Sequence, residues 1–270
     1  MTSGRAATRA LPLHSRSVVA LAVTSAIGCF AFAWPLLVDP RSTLVTRSDG
    51  PWLFAVVLGL LVVVLLAEVA EGGMDAKAVA LLGVLTALAT ALRPLSGGVT
   101  GFQPLFVVLV LAGRVFGPGF GFVLGGTSLF ASAMLTGGVG PWLPFQMLAA
   151  AWVGLIAGLL PPARGWPEVV MLSGYGAAAG LAFGFVMNLW FWPTLAATGT
   201  SISYAAGAPV LINLHHLFAF TVATSLGFDV PRAVGTAVII VIVARPALAA
   251  LRRTAVRAQF APAIAWAPPS

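Results

Sequence analysis

A short set of polar and aromatic side chains interrupts an otherwise apolar sequence, and any chemistry must happen there: Arg93, Gln103, Trp142, Gln146, Asn188, Trp190, Trp192, His215, His216 and Asp229. Acid–base catalysis needs Asp, Glu or His clustered at one level, and here they are scattered. His215 and His216 are neighbours, so on a helix they point in different directions and cannot hold one metal from one face. Cys29 is the single cysteine, so neither an internal disulfide nor a cysteine-based metal site is available. Lys77 is the single lysine and lies in no G-x-x-x-x-G-K-[ST] phosphate loop, so the chain hydrolyses no ATP by that motif. No catalytic residue, metal ligand or cofactor is expected. What remains is binding: aromatic plates with amide and imidazole donors suit a flat, polar molecule of vitamin size. Other readings stand beside it. Trp190 and Trp192 fit an aromatic belt at the headgroup level, and Arg93 fits a snorkelling end. Asp229, with Pro231 and Arg232 after it, fits a helix cap. Gln146 and Asn188 are costly in lipid and are expected to face a neighbouring helix or a ligand.

The elements that must carry these groups are set by composition. The chain is 60% hydrophobic and 8% charged with a mean hydropathy of +1.03, whereas a soluble domain carries about 25% charged residues. Between Pro94 and Ala163 the one charged residue is Arg114, and Val169 to Phe228 has none. The expected class is an all-α polytopic membrane protein, since the apolar runs reach helix length without strand-like alternation. The net charge of +7 gathers at the ends, with Arg5, Arg9 and Arg16 before the first run and Arg245, Arg252, Arg253 and Arg257 closing the last. That pattern places both termini in the cytoplasm and leaves no basic face for nucleic acid. The basic head, apolar run and Ala31-x-Ala33 pair also resemble a cleavable signal. The run continues through Trp34 to Val38, long enough to span, which favours an uncleaved first helix.

Breakers divide the chain into apolar segments 17–38, 51–71, 76–92, 103–116, 119–136, 143–161, 168–192, 209–227 and 231–250. Their number is odd while the arginine-rich ends ask for one side, so one segment should not cross. The segment 209–227, with Asn213, His215, His216, Thr221, Thr224 and Ser225, is the best candidate for a buried or re-entrant helix, which leaves about eight spans. The organisation expected is a basic head at 1–16, two spans over 17–74, a six-helix domain over 75–253 and a tail at 254–270. Loops 93–102, 137–142 and 193–229 then fall outside, rich in Gly, Ser and Thr. The spans proper are expected to hold almost no ionisable group beyond Glu68 and Arg114, and the last six no buried carboxylate.

Small residues recur every fourth position or nearly so: Ala76, Ala80, Gly83, Ala87 and Ala91; Ala150, Gly154 and Gly158; Gly176, Gly180 and Gly184. Such stripes let helix backbones approach closely in lipid. Either packing within this chain or a partner protein accounts for them.

Three motifs resemble those of the substrate-binding (S) components of energy-coupling-factor (ECF) vitamin transporters. They are the hairpin L-x-G-x-x-F-G-P-x-x-G-F from Leu111 to Phe122, the loop T-G-G-x-G-P-W from Thr136 to Trp142, and D-x-x-[KR]-A at Asp229, Arg232 and Ala233. The likeness covers about 76–253 and is most specific over 97–160. The wording "GVGPWLPFQM" and "MNLWFWP" is most similar to the cobalamin-linked group. The resemblance implies a six-helix core whose outer loops clasp a vitamin, with Arg93, Gln103, Trp142, Gln146, Asn188, Trp190, His215, His216 and Asp229 as candidate contacts. It implies an Ala76 and Ala80 face docking on a transmembrane coupling protein driven by two ATPase subunits. "TGGVGPWLPFQ" would be a gate in which Trp142 covers the ligand and Gln146 hydrogen-bonds it. The family pattern leaves the two N-terminal spans without a role. The rivals are a stand-alone secondary transporter of a small polar aromatic metabolite, expected to show a buried carboxylate; a lipid-modifying enzyme, expected to cluster acids or histidines; and a structural assembly subunit.

Overall fold

A computed structural model describes residues 15–37, 50–71, 74, 76–96, 101–195, 200–205 and 207–259. Among them the regular structure is helical throughout: α1 (Ser15–Leu37), α2 (Gly50–Glu71), α3 (Ala76–Leu92), a 3-10 turn at Pro94–Ser96, α4 (Leu105–Phe116), α5 (Pro118–Thr136), α6 (Leu143–Leu159), α7 (Trp166–Leu195), α8 (Val210–Thr224) and α9 (Leu226–Gln259). Val18–Leu37, Pro118–Thr136, Trp166–Pro193 and Leu226–Val256 are long and apolar enough to cross a bilayer; α2 is 22 residues long, and α3, α4, α6 and α8 are shorter. Every apolar segment of the sequence is a helix, and the chain is a multi-pass membrane protein. The basic head before residue 15 and the tail after 259 lie outside the described residues, as do 97–100, 196–199 and 206 in the long loops.

Two boundaries differ from expectation. The last helix begins at Leu226 rather than near 231 and runs on to Gln259, across the expected start of the tail at 254. Pro231 therefore stands inside the helix, one turn and a half from its start, where its missing N–H leaves the Gly227 carbonyl without its helical donor. The 209–227 segment is a 15-residue helix, short of the ~20 residues a span needs. Ser225 alone separates α8 from α9.

Glycine contacts hold the centre together. A side chain on Gly154 would strike the backbone of Gly121, one on Gly125 the backbone of Ala150, and one on Gly158 the Gly117–Pro118 turn. The α6 stripe is thus consumed by α4 and α5, where backbone approach replaces the hydrophobic effect that lipid does not supply. Phe106, Phe120, Phe122 and Phe145 fill the space between, all under 3% exposed. The α7 stripe is consumed in the same way by α9: Gly176 lies over Thr236 and Ile240, Gly180 over Ala233, and Gly184 over the Asp229 carboxylate.

The α3 stripe is different. Ala78, Leu85 and Ala89 form its buried side, with Thr86 bonded to Thr127 of α5 at 3.1 Å. Ala76, Ala80, Gly83, Ala87 and Ala91 are exposed, and among the described residues no atom of another element lies within 4 Å of a Cβ built on Gly83.

The N-terminal pair is not loosely appended. Gly28 of α1 sits against Leu148 and Trp152, Trp152 Nε1 donates to Ser25 Oγ at 3.0 Å, and Leu66 of α2 reaches Gly126 of α5.

Opposite the Gly-rich loops, Glu168 in the first turn of α7 is 1% exposed and accepts from Arg114 Nε at 2.8 Å and Arg252 Nη2 at 2.7 Å. Arg114 also donates to the Leu160 and Ala163 carbonyls. One carboxylate thereby ties α4, α7 and α9 together at what we term the Arg114 end.

Candidate functional site

The Thr136–Trp142 loop lies at the other end of the bundle. The loop there is built for a sharp reversal: Gly137 closes α5 in the left-handed region (φ 67°), and its N–H caps the Ala133 carbonyl. Only glycine adopts that conformation without strain. Trp142 ends the loop, 40% exposed. Its indole ring lies over Gly140 and donates to the Gly138 carbonyl at 3.2 Å. Pro144 follows at the start of α6, where a missing N–H costs nothing.

Gln146 lies one turn on, and Arg93, just past α3, reaches it: Nη2 donates to Gln146 Oε1 at 3.3 Å. Only an oxygen accepts from a guanidinium, so the bond turns the Gln146 amide nitrogen away from Arg93. Arg93 is half-buried, and burial lowers its pKa from the ordinary guanidinium value. Thr90, a turn earlier on α3, has a buried hydroxyl without a hydrogen-bond partner among the described residues.

Trp190 and Trp192 are not a headgroup belt. They are 3% and 0% exposed. Trp190 packs on Phe145 (centroids 4.8 Å apart) and stacks on Phe191 (5.8 Å). Its Nε1 is buried with no partner among the described residues, an uncommon state for a strong donor. Trp192 Nε1 donates to the Ile202 carbonyl at 2.7 Å, and its ring meets Tyr204 edge-on at 5.3 Å. An apolar flank reads alike for belt and core, which is why the sequence alone left both open.

The structure divides the other candidates. Asn188 is half-buried and donates to Thr221 Oγ1 (3.1 Å) and Ser225 Oγ (2.7 Å), fastening α8 to α7. His216 Nδ1 lies 2.9 Å from the Ser203 carbonyl, while His215 is exposed. Their rings are 6.2 Å apart at 59°, and no group of three His, Cys, Asp or Glu side chains that could hold a metal occurs among the described residues. Gln103 is half-buried at the head of α4, its carbonyl accepting from Phe106 N.

Asp229 is a correction to the cap reading. It stands inside the first turn of α9, 3% exposed, and Arg232 Nη1 donates to its Oδ1 at 2.7 Å. Arg232 also donates to the Gly180 carbonyl at 3.1 Å and lies over the Phe183 ring at 5.2 Å. With Glu168, Asp229 also corrects the expectation that the last six helices hold no buried carboxylate. Both are neutralised by arginine, as buried charge in a low dielectric requires, so neither is a free acceptor for a coupling proton or sodium ion. The sequence signal was present: Asp229 and Arg232 are spaced i, i+3, and Gly184 leaves the room.

The site therefore joins α3, α6 and α7 at one end of the bundle, with two N–H-bearing groups side by side and a ring stack beneath. No curated protein and no solved structure matches the chain. Residues 77–244, more than half of the chain, match the family described as "ECF transporter, substrate-specific component", and the chain belongs to that family.

Proposed function

We propose that this substrate-binding subunit captures a vitamin at the Trp142 end, which faces outward, and hands it inward through an ECF coupling protein powered by two ATPase subunits. A cobalamin-like ligand is favoured, with another vitamin or precursor as the nearest variant. The Arg93–Gln146 pair carries the reading: it places donors where the Gly-rich loop opens, and a macrocycle rimmed with carbonyl groups offers matching acceptors. Trp142 covers the ligand, and Gln103, Asn188, Trp190, His215 and His216 line the approach from the head of α4 and from α7 and α8; Asp229 supports them from below through Arg232. The subunit sits in the cell membrane with eight crossings and both termini in the cytoplasm, and α8 stays on the outer side.

Docking falls to α3. The small-residue stripes of α6 and α7 are filled from within, so the exposed Ala76–Ala80 face is the one left open for the coupling protein. The subunit then tilts in the bilayer. Its near charge-free middle favours this, because each charge taken to the bilayer centre costs at least about 2.5–3.5 kcal/mol. Co-purification of the tagged chain with coupling and ATPase subunits tests the reading. Ala80→Trp should abolish the association while the chain stays folded; undiminished association removes α3 as the docking face. The paired state of both buried carboxylates weighs against the rival, a stand-alone carrier of a polar aromatic metabolite.

A further inference from the structure

The two N-terminal helices have no counterpart in the six-helix core, yet α1 touches both pieces of the outer end that a ligand must pass. Tyr204 Oη donates to the Pro35 carbonyl at 2.6 Å. Pro35 is in the last turn of α1, whose carbonyls have no donor within the helix. The Tyr204 ring in turn rests on Trp192, which holds the Ile202 carbonyl. The same short loop is bonded to α8 through both amide atoms of Asn213 to Ala205 (3.0 and 2.9 Å). One turn below Pro35, Phe32 meets Phe145 edge-on at 5.1 Å, and Phe145 is the residue that packs on Trp190 and precedes Gln146.

We propose that α1 is a positioning element of the binding site: a fixed post to which the 200–205 loop is latched by Tyr204 and against which the start of α6 is braced by Phe32. Pro35, Phe32 and Ser25 lie along one stretch of α1, and their bonds reach three different depths. The topmost anchors the loop, the middle one braces the aromatic stack, and the lowest, Ser25 to Trp152, ties α1 to α6 well below the site. Loop opening then requires breaking the Tyr204–Pro35 bond, so the added helices set how readily the outer clasp moves. Tyr204 is a positioning residue and need not touch the ligand. That consequence for binding rests on the reading that these loops clasp the ligand; the latch itself does not.

The test uses the full chain in lipid nanodiscs. Tyr204→Phe keeps the ring on Trp192 and removes only the hydroxyl. Amide hydrogen exchange over 200–205 should then rise about three- to tenfold, the range one hydrogen bond supplies, while α4 to α6 keep wild-type protection. Ser25→Ala, which loosens α1 lower down, should leave 200–205 unchanged. Phe32→Leu should speed exchange at 143–148 instead. Unchanged exchange in Tyr204→Phe, or an equal rise in Ser25→Ala, overturns the latch. Should Tyr204→Phe yield no folded protein, the Phe32→Leu and Ser25→Ala pair decides, since the proposal requires them to differ at 143–148. The small molecule that co-purifies, counted per chain by mass spectrometry, reports separately: a loosened loop with undiminished retention contradicts the clasp and leaves the latch standing.

Discussion

Arg93 and Gln146 are linked head to head, guanidinium Nη2 to amide Oε1 at 3.3 Å, joining the end of α3 to the first turn of α6. The bond occupies one lone pair of the Gln146 oxygen and leaves the amide N–H groups on the far side from Arg93. In the proposed site those N–H groups of Gln146 are what a ligand acceptor would meet.

Gln146→Glu exploits this. The carboxylate keeps and strengthens the link to Arg93, so the fold should hold. The outward N–H groups are lost, and ligand affinity should fall by about 1–3 kcal/mol, the cost of leaving an acceptor unmatched. Isothermal titration with the identified ligand, alongside thermal unfolding, checks the split.

Trp190→Phe separates the ring from its donor. Phenylalanine keeps the packing on Phe145 and Phe191 and removes the orphaned Nε1. Stability should be unchanged or slightly raised, because an unsatisfied buried donor is costly. If that nitrogen serves the ligand, affinity falls about tenfold, for one hydrogen bond near 1.4 kcal/mol. Equal affinity assigns Trp190 to packing alone.

Asp229→Asn leaves the Arg232 guanidinium buried without a counter-charge, which should cost about 3–5 kcal/mol. Replacing both, Asp229→Leu with Arg232→Met, should recover most of that loss, since apolar pairs of similar volume substitute well for buried ion pairs. Unfolding midpoints in detergent measure both. A single mutant as stable as the double would contradict the structural role given to the pair.

The glycine stripes make opposite demands. Gly154→Ala pushes against the Gly121 backbone and should destabilise by about 1–3 kcal/mol, as overpacking does. Gly83→Ala faces open space and should leave stability unchanged. Side-by-side thermal scans of the two variants distinguish them.

These contrasts also mark how far the sequence could be read. The class and the helical character of each apolar segment follow from hydropathy and from breakers such as Gly117 and Gly137, because lipid admits few alternatives to helices. The Thr136–Trp142 and Leu111–Phe122 motifs led to the right family. Which stripes were internal could not be read, since Gly154 and Gly83 have the same local spacing and differ only in what the fold places opposite. The start of α9 escapes the sequence because Pro231 signals a helix start, whereas the fold tolerates it inside the helix. Asp229 was then given to a loop when its partner stood three residues away. The engagement of α1 with Trp152 and Tyr204 joins residues more than a hundred positions apart, and no local pattern announces it.

The account stands or falls on whether the Trp142 end holds a ligand. Native mass spectrometry of the chain purified from its own membranes measures this most directly, comparing wild type with the Trp142→Ala, Gln146→Ala double variant at equal yields of folded protein. One small organic molecule per wild-type chain, depleted in the variant, is the predicted result. Equal occupancy in both would contradict it and move the binding site elsewhere.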